Sequence, residues 1–283
     1  MTAPVPATVA SNLDAIFDRI QQHKYEPLFS AERTRRENNV PRLFTSENEI
    51  FAAYGEVIAL SNGSQSALVD EIIQNGQLAA AFSNFDVAKV AQTNPCDIVD
   101  DHWKIVGAAM RRKAKVFQMT LAARAIVRAG GLVPVFNQAN LPQTITTPAD
   151  IDQFWVGFER LRLKMVELDM PYLKAITSLL HFLLHVGYDC AKPDSAVMSV
   201  AKRLGLANGK TPRQKEKDLV STVRVMQEYG LSRSIRPSVV DFYMLIAGGQ
   251  TWARKHVLWS YYMPGVAPGG SPDPDDSGQD DDL

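Results

Sequence analysis

The chain has 283 residues, 46% of them hydrophobic and 22% charged, enough to bury a sizeable core as one large domain or two lobes sharing a cleft. Two cysteines, Cys96 and Cys190, are too few for a disulfide framework. No early stretch has the layout of a signal peptide, and the most apolar stretch, 173–186, carries Lys174, His181 and His185, so a cytoplasmic address without a membrane span is expected. The net charge of −1 conceals a polarity: the last twenty residues hold six aspartates and no basic residue, leaving thirty basic against twenty-five acidic side chains elsewhere.

Helical periodicity dominates from the start. A first helix is expected over about 12–23. A second starts at the capping box Ser46-Glu47-Asn48-Glu49, carries Ile50, Phe51, Tyr54, Val57 and Ile58, and stops near Asn62-Gly63. Another covers 66–74. A further helix places Phe117, Leu121 and Ala125 on one side and ends at Gly130-Gly131. Residues 144–147 could form a short extended piece. Thr147-Pro148-Ala149-Asp150 then opens the clearest helix, with Ile151, Phe154, Trp155, Phe158, Leu161, Met165 and Leu168 on one face. A central helix, apolar nearly all round, is expected over 171–186, followed by helices over 195–204, 213–229 and 237–245. The scarcity of alternating patterns predicts an all-α fold. Neither a repeat nor a glycine-rich phosphate loop is present. The acidic tail, 264–283, cannot offset its ordering entropy by burial. It is read as a solubilising segment or as a nucleic-acid mimic.

From Gly187 the chain reads GYDCAKPDSAVMSVAKRLGL, an irregular stretch through Pro193 followed by Asp194 at a helix start. An aspartate there caps the helix, and facing a cleft it could also stabilise a cationic sugar and orient water. This segment resembles the helix-hairpin-helix DNA glycosylase superfamily, in which a hairpin, a helix and a glycine precede, by seven residues, an aspartate opening a helix that often ends Arg-Leu-Gly-Leu. The matching residues are Met170-Pro171, Gly187, Asp194 and Arg203 to Leu206. The loop from Leu60 to Ser66 looks like the family's wedge loop. Phe82 to Ala91 and the basic helix expected at Met110 to Val116 resemble its 3-methyladenine branch, so the resemblance spans about residues 46–206.

The resemblance implies a two-lobed helical bundle: 1–44 an N-terminal helix and linker, 45–190 a six-helix lobe with the hairpin, 191–263 a C-terminal lobe with the aspartate. It implies a monofunctional DNA glycosylase acting on double-stranded DNA as a monomer, without cofactor or metal, in repair or in defence against phage with modified DNA. Asp194 would be catalytic. Asn62 or Gln65 would fill the gap left by the flipped base, Trp155 and Tyr172 would stack on that base, and Lys174, Lys202, Arg203, Arg111 and Arg112 would hold phosphates. Two departures bear on this. The family hairpin reads Leu-Pro-Gly-Val-Gly, whereas Met170-Pro171-Tyr172-Leu173-Lys174 lacks both glycines. The lysine of the strand-cleaving members is replaced by Ile176, so no lyase activity is expected. The residues leave open a non-catalytic helical protein that binds nucleic acid or another partner.

Other clusters carry less. Lys113 and Lys115 extend the Arg111-Arg112 cluster, and Arg233 and Arg236 form another basic group. His181 and His185 share a helix face but lack the glutamate of a zinc-protease motif, and neither cysteine has an acid-base partner in sequence.

Overall fold

The computed structural model describes residues 5–22, 26–61 and 63–248. Fourteen α-helices run through the described residues, and no strand is present among them. In chain order they are α1 (Ala7–Gln21), α2 (Glu26–Glu37), α3 (Glu47–Leu60), α4 (Ser66–Gln74), α5 (Gln77–Ala81), α6 (Val87–Gln92), α7 (Pro95–Met110) and α8 (Ala114–Arg128). These are followed by α9 (Val133–Ala139), α10 (Pro148–Glu167), α11 (Ile176–His185), α12 (Ser195–Arg203), α13 (Pro212–Arg233) and α14 (Pro237–Ala247). No single described helix is long and apolar enough to cross a membrane. Asn62 and the acidic tail lie outside the described residues.

The chain divides into two compact units. One holds the described residues of 1–40, 144–152 and 189–248; the other holds those of 41–143 and 153–188. In the first, α14 packs against α1, α2, α12 and α13, and is buried along almost its whole length. Gly248, just past its end, has no room for a side chain, since a Cβ there would lie 2.6 Å from the Ala196 carbonyl oxygen. In the second, α8 packs against α3, α6 and α7. Gly55 of α3 admits the Phe85 ring and the Met119 side chain, both within 2.8 Å of where a Cβ would stand.

Local chemistry sets most boundaries. Ser46 Oγ accepts from the Glu49 N–H while the Glu49 carboxylate accepts from the Ser46 N–H, the reciprocal box that starts α3. Asp150 does the same at α10, taking the N–H groups of Thr146 and Thr147, and Thr211 with Gln214 starts α13. Glu47 works at a distance: its two carboxylate oxygens accept from Leu132 N–H at 2.6 Å and Val133 N–H at 2.9 Å, capping α9. Glu47→Ala should therefore cost about 1–2 kcal/mol, measured as a lower urea midpoint, because it removes a charged cap and its two hydrogen bonds.

Several expectations need correction. The central helix begins at Ile176, not 171, because Tyr172 takes the left-handed conformation (φ 66°) and 171–175 are turns. Phe117 and Leu121 are exposed; the buried face of α8 is Val116, Met119, Ala123 and Ile126. The residues of α8 are apolar or small on nearly every side, so period alone does not choose the face. Residues 144–147 form no strand. The basic stretch 110–116 is a helix junction: α7 stops at Met110, Arg111 turns left-handed (φ 62°), and α8 begins at Ala114.

Candidate functional site

Asp194 is the N-cap of α12, half-buried, and its Oδ1 accepts from the N–H groups of Ala196 at 3.0 Å and Val197 at 3.1 Å. Both bonds fall on Oδ1. Oδ2 makes no hydrogen bond to the described residues, so one oxygen is fixed by the helix start and the other is not. The strand of backbone leading to it is pinned at each step. Asp189, buried, pairs with Arg236 at 2.7 Å and accepts from the Ile145 N–H at 2.9 Å, while its carbonyl accepts from Gln227 at 2.9 Å. Lys192 N–H donates to Asp241 Oδ1 at 2.9 Å, Arg36 donates to Asp241 Oδ2 at 2.8 Å, and Asp194 N–H donates to the Lys192 carbonyl at 2.8 Å.

Asp241 is fully buried on α14. Burial raises its pKa above the usual carboxylate range, and the neighbouring Asp194 charge pushes the same way, against the pull of Arg36 and of the Lys192 N–H. Asp194 thus has a second carboxylate near it, held by an arginine. Burial, with the charges of Asp241 and Asp189, raises the Cys190 thiol well above its ordinary value, which removes it as a thiolate nucleophile. Nothing in the sequence singles out Asp189, Asp241, Arg36 or Gln227, and Arg236, one of the basic group with Arg233, is spent on Asp189 and on the carbonyls that end α2. Arg233, the other member of that basic group, is bidentate with Asp14. Lys202 and Arg203 are exposed in the last turn of α12. Lys202 lies about 12 Å along the helix from Asp194.

The second unit holds the other candidates. Gln65 is exposed at the N-cap of α4, and its N–H donates to the Ala109 carbonyl at 3.4 Å. The loop after α3 therefore lies against the end of α7, where Arg111 and Arg112 are exposed and Lys113 sits over the Trp103 ring at 6.0 Å. Lys115 does not belong to that charged surface. It is buried, and its ammonium donates to the Ala59 and Ser61 carbonyls and to Ser64 Oγ.

Between α10 and α11 the chain makes a hairpin. Asp169 (φ 52°) and Tyr172 (φ 66°) are both left-handed, a conformation that costs a non-glycine residue about 1–2 kcal/mol. Tyr172 takes that conformation although it is not a glycine. The Pro171 carbonyl is held by Tyr54 Oη at 3.2 Å. α11 begins with no side-chain cap on its first N–H groups. Tyr172 Oη is bonded to His181 Nδ1 at 2.9 Å, and burial lifts its pKa to about 12. Lys174 forms an ion pair with Asp169 at 2.6 Å. His185 Nε2 is paired with Glu56 at 2.7 Å. Trp155 is half-buried, edge-on to Phe154 and Phe158. Ile176 is buried.

Gln65, Arg111, Arg112, Trp155, Tyr172 and Lys174 thus belong to one unit, and Asp194, Lys202 and Arg203 to the other. Within the former, the loop and the hairpin are anchored on the same helix, at Ser61 and through Tyr54 of α3, about 10 Å apart along its axis. No family model, curated protein or solved structure matches the chain.

Proposed function

We propose that this chain is a monofunctional DNA glycosylase with a helix-hairpin-helix bundle, which hydrolyses the N-glycosidic bond of a flipped base and leaves an abasic site. The observation that carries the reading is Asp194, a half-buried carboxylate with Oδ1 locked by two backbone N–H groups and Oδ2 without a hydrogen bond among the described residues. A carboxylate so held stabilises the oxocarbenium-like sugar as the base departs and directs water to its anomeric carbon. The loop bearing Gln65, beside Arg111 and Arg112, supplies the wedge and its phosphate contacts. The uncapped start of α11 supplies a second phosphate site, since helix N-termini attract anions. No lysine stands at Ile176, so base release proceeds without strand cleavage.

Duplexes carrying alkylated, deaminated, oxidised or hypermodified bases, incubated with the full chain, test the reading. Abasic sites from one class of duplex, revealed by alkali and not by the protein alone, are the expected result. Absence of base release across the whole panel overturns it. The non-catalytic reading draws on the hairpin, where Tyr172 and Lys174 stand in place of the two family glycines while basic side chains remain exposed at Arg111, Arg112, Lys202 and Arg203. It predicts duplex binding with steep salt dependence and no product.

A further inference from the structure

The buried ammonium of Lys115 is the one member of the basic run 111–115 turned inward, and it ends at the C-terminus of α3. Its three acceptors, the carbonyls of Ala59 and Ser61 and the hydroxyl of Ser64, match its three donors. Two of the three are residues of the loop that continues to Gln65. Ser64 Oγ is itself tied to the Ala59 and Ser61 carbonyls, so the lysine and the loop share acceptors at the end of the helix. A cation at a helix C-terminus is also favoured by the helix dipole. We propose that Lys115 is a positioning residue, a buried clamp that holds the loop after α3 in the shape needed to enter a duplex at a flipped base. The inference rests on the glycosylase reading for its purpose, although the clamp itself does not depend on it.

Burial, with Arg112 as the charged group facing it, lowers the Lys115 pKa to about 8. Deprotonation leaves two donors for three acceptors, so the clamp loosens as pH rises through that value. The sign for the whole fold is opposite. A lysine whose folded value lies below 10.5 gains stability for the fold as pH rises between the two, because the unfolded chain binds the extra proton there. Loosening of the loop is therefore local, without global unfolding.

Amide hydrogen exchange of Ser61, Ser64 and Gln65, corrected for intrinsic pH dependence, should show protection falling about tenfold between pH 7 and 9 in the wild-type chain, the size expected for one charge-assisted hydrogen bond. Lys115→Met should show the loosened value at every pH. In the same variant, preference for a duplex with an abasic-site analogue over an intact duplex should fall by about tenfold, with affinity for the intact duplex unchanged within about twofold. Ser64→Ala keeps the ammonium and removes one acceptor, and should give about a threefold loss, which serves if Lys115→Met does not fold. Unchanged loop protection and an unchanged preference in whichever variants fold overturn the clamp. A wild-type chain with no preference for the abasic duplex instead overturns the glycosylase reading, while the exchange result still decides the clamp.

Discussion

Replacing Asp194 by asparagine is expected to lower single-turnover base release by about a thousandfold or more, the range carried by a positioned acid-base group, while duplex affinity changes by less than about twofold. The substitution suits the geometry. Asparagine caps helices as well as aspartate does, and its amide oxygen can accept from the same Ala196 and Val197 N–H groups. What is lost is the charge on the open side of the residue. A structural role alone would leave the rate untouched, because the cap survives. Asp194→Ala is the complementary variant: it removes cap and charge together, so it should lose about 1 kcal/mol of stability in addition to the activity. Activity in Asp194→Asn close to that of the wild type would sink the assignment of this residue whatever the fate of the alanine variant.

The parts of the site that were legible in sequence are those written in local chemistry. Asp194 reads as a cap because the cap is a contact between residues two and three apart, and the same holds for Ser46 with Glu49 and Thr147 with Asp150. The all-helical character follows from many such starts and from the absence of alternating stretches. What sequence could not reveal depends on partners far apart in the chain. Asp189 and Arg236 are 47 residues apart and Arg36 and Asp241 are 205 apart, so nothing near Asp194 announces that its backbone hangs on two buried ion pairs. Lys115 looks like one charge among four in a basic run, and only the packing of α8 against α3 turns it inward. The sequence makes α11 look longer than it is because Leu173 is apolar and buried, as a helix residue would be, while the left-handed φ of Tyr172 leaves no trace in composition.

Arg36→Met should destabilise the fold by about 3–5 kcal/mol at neutral pH, the cost of leaving a buried charge without its partner. Arg36 donates to Asp241 at 2.8 Å and to the Ser238 carbonyl at 2.9 Å, pairs with Glu32, and stacks over Phe242 at 5.1 Å. Its removal strips Asp241 of its only ion pair among the described residues, while burial and the Asp194 charge, which already raise the Asp241 pKa, remain. The pH dependence has a definite sign. A carboxyl whose folded pKa lies above its unfolded value gives stability that is complete below the unfolded value and is lost as pH rises through the folded one. Losing Arg36 raises the folded value further. The deficit of Arg36→Met, followed by urea unfolding from pH 7 to pH 5, should therefore shrink on acidification, and a deficit that stays constant or grows would show that Asp241 is not the source. Arg36→Met with Asp241→Leu removes both charges and should recover part of the loss, since an apolar pair of similar volume is often neutral or better. That double variant should nonetheless release base more slowly, because leucine cannot accept the Lys192 N–H that Asp241 holds at 2.9 Å, and Asp194 is attached to Lys192 by its own backbone bond. Recovered stability with impaired base release is the combination that assigns Asp241 to the placement of Asp194 and not merely to the integrity of the helices around it.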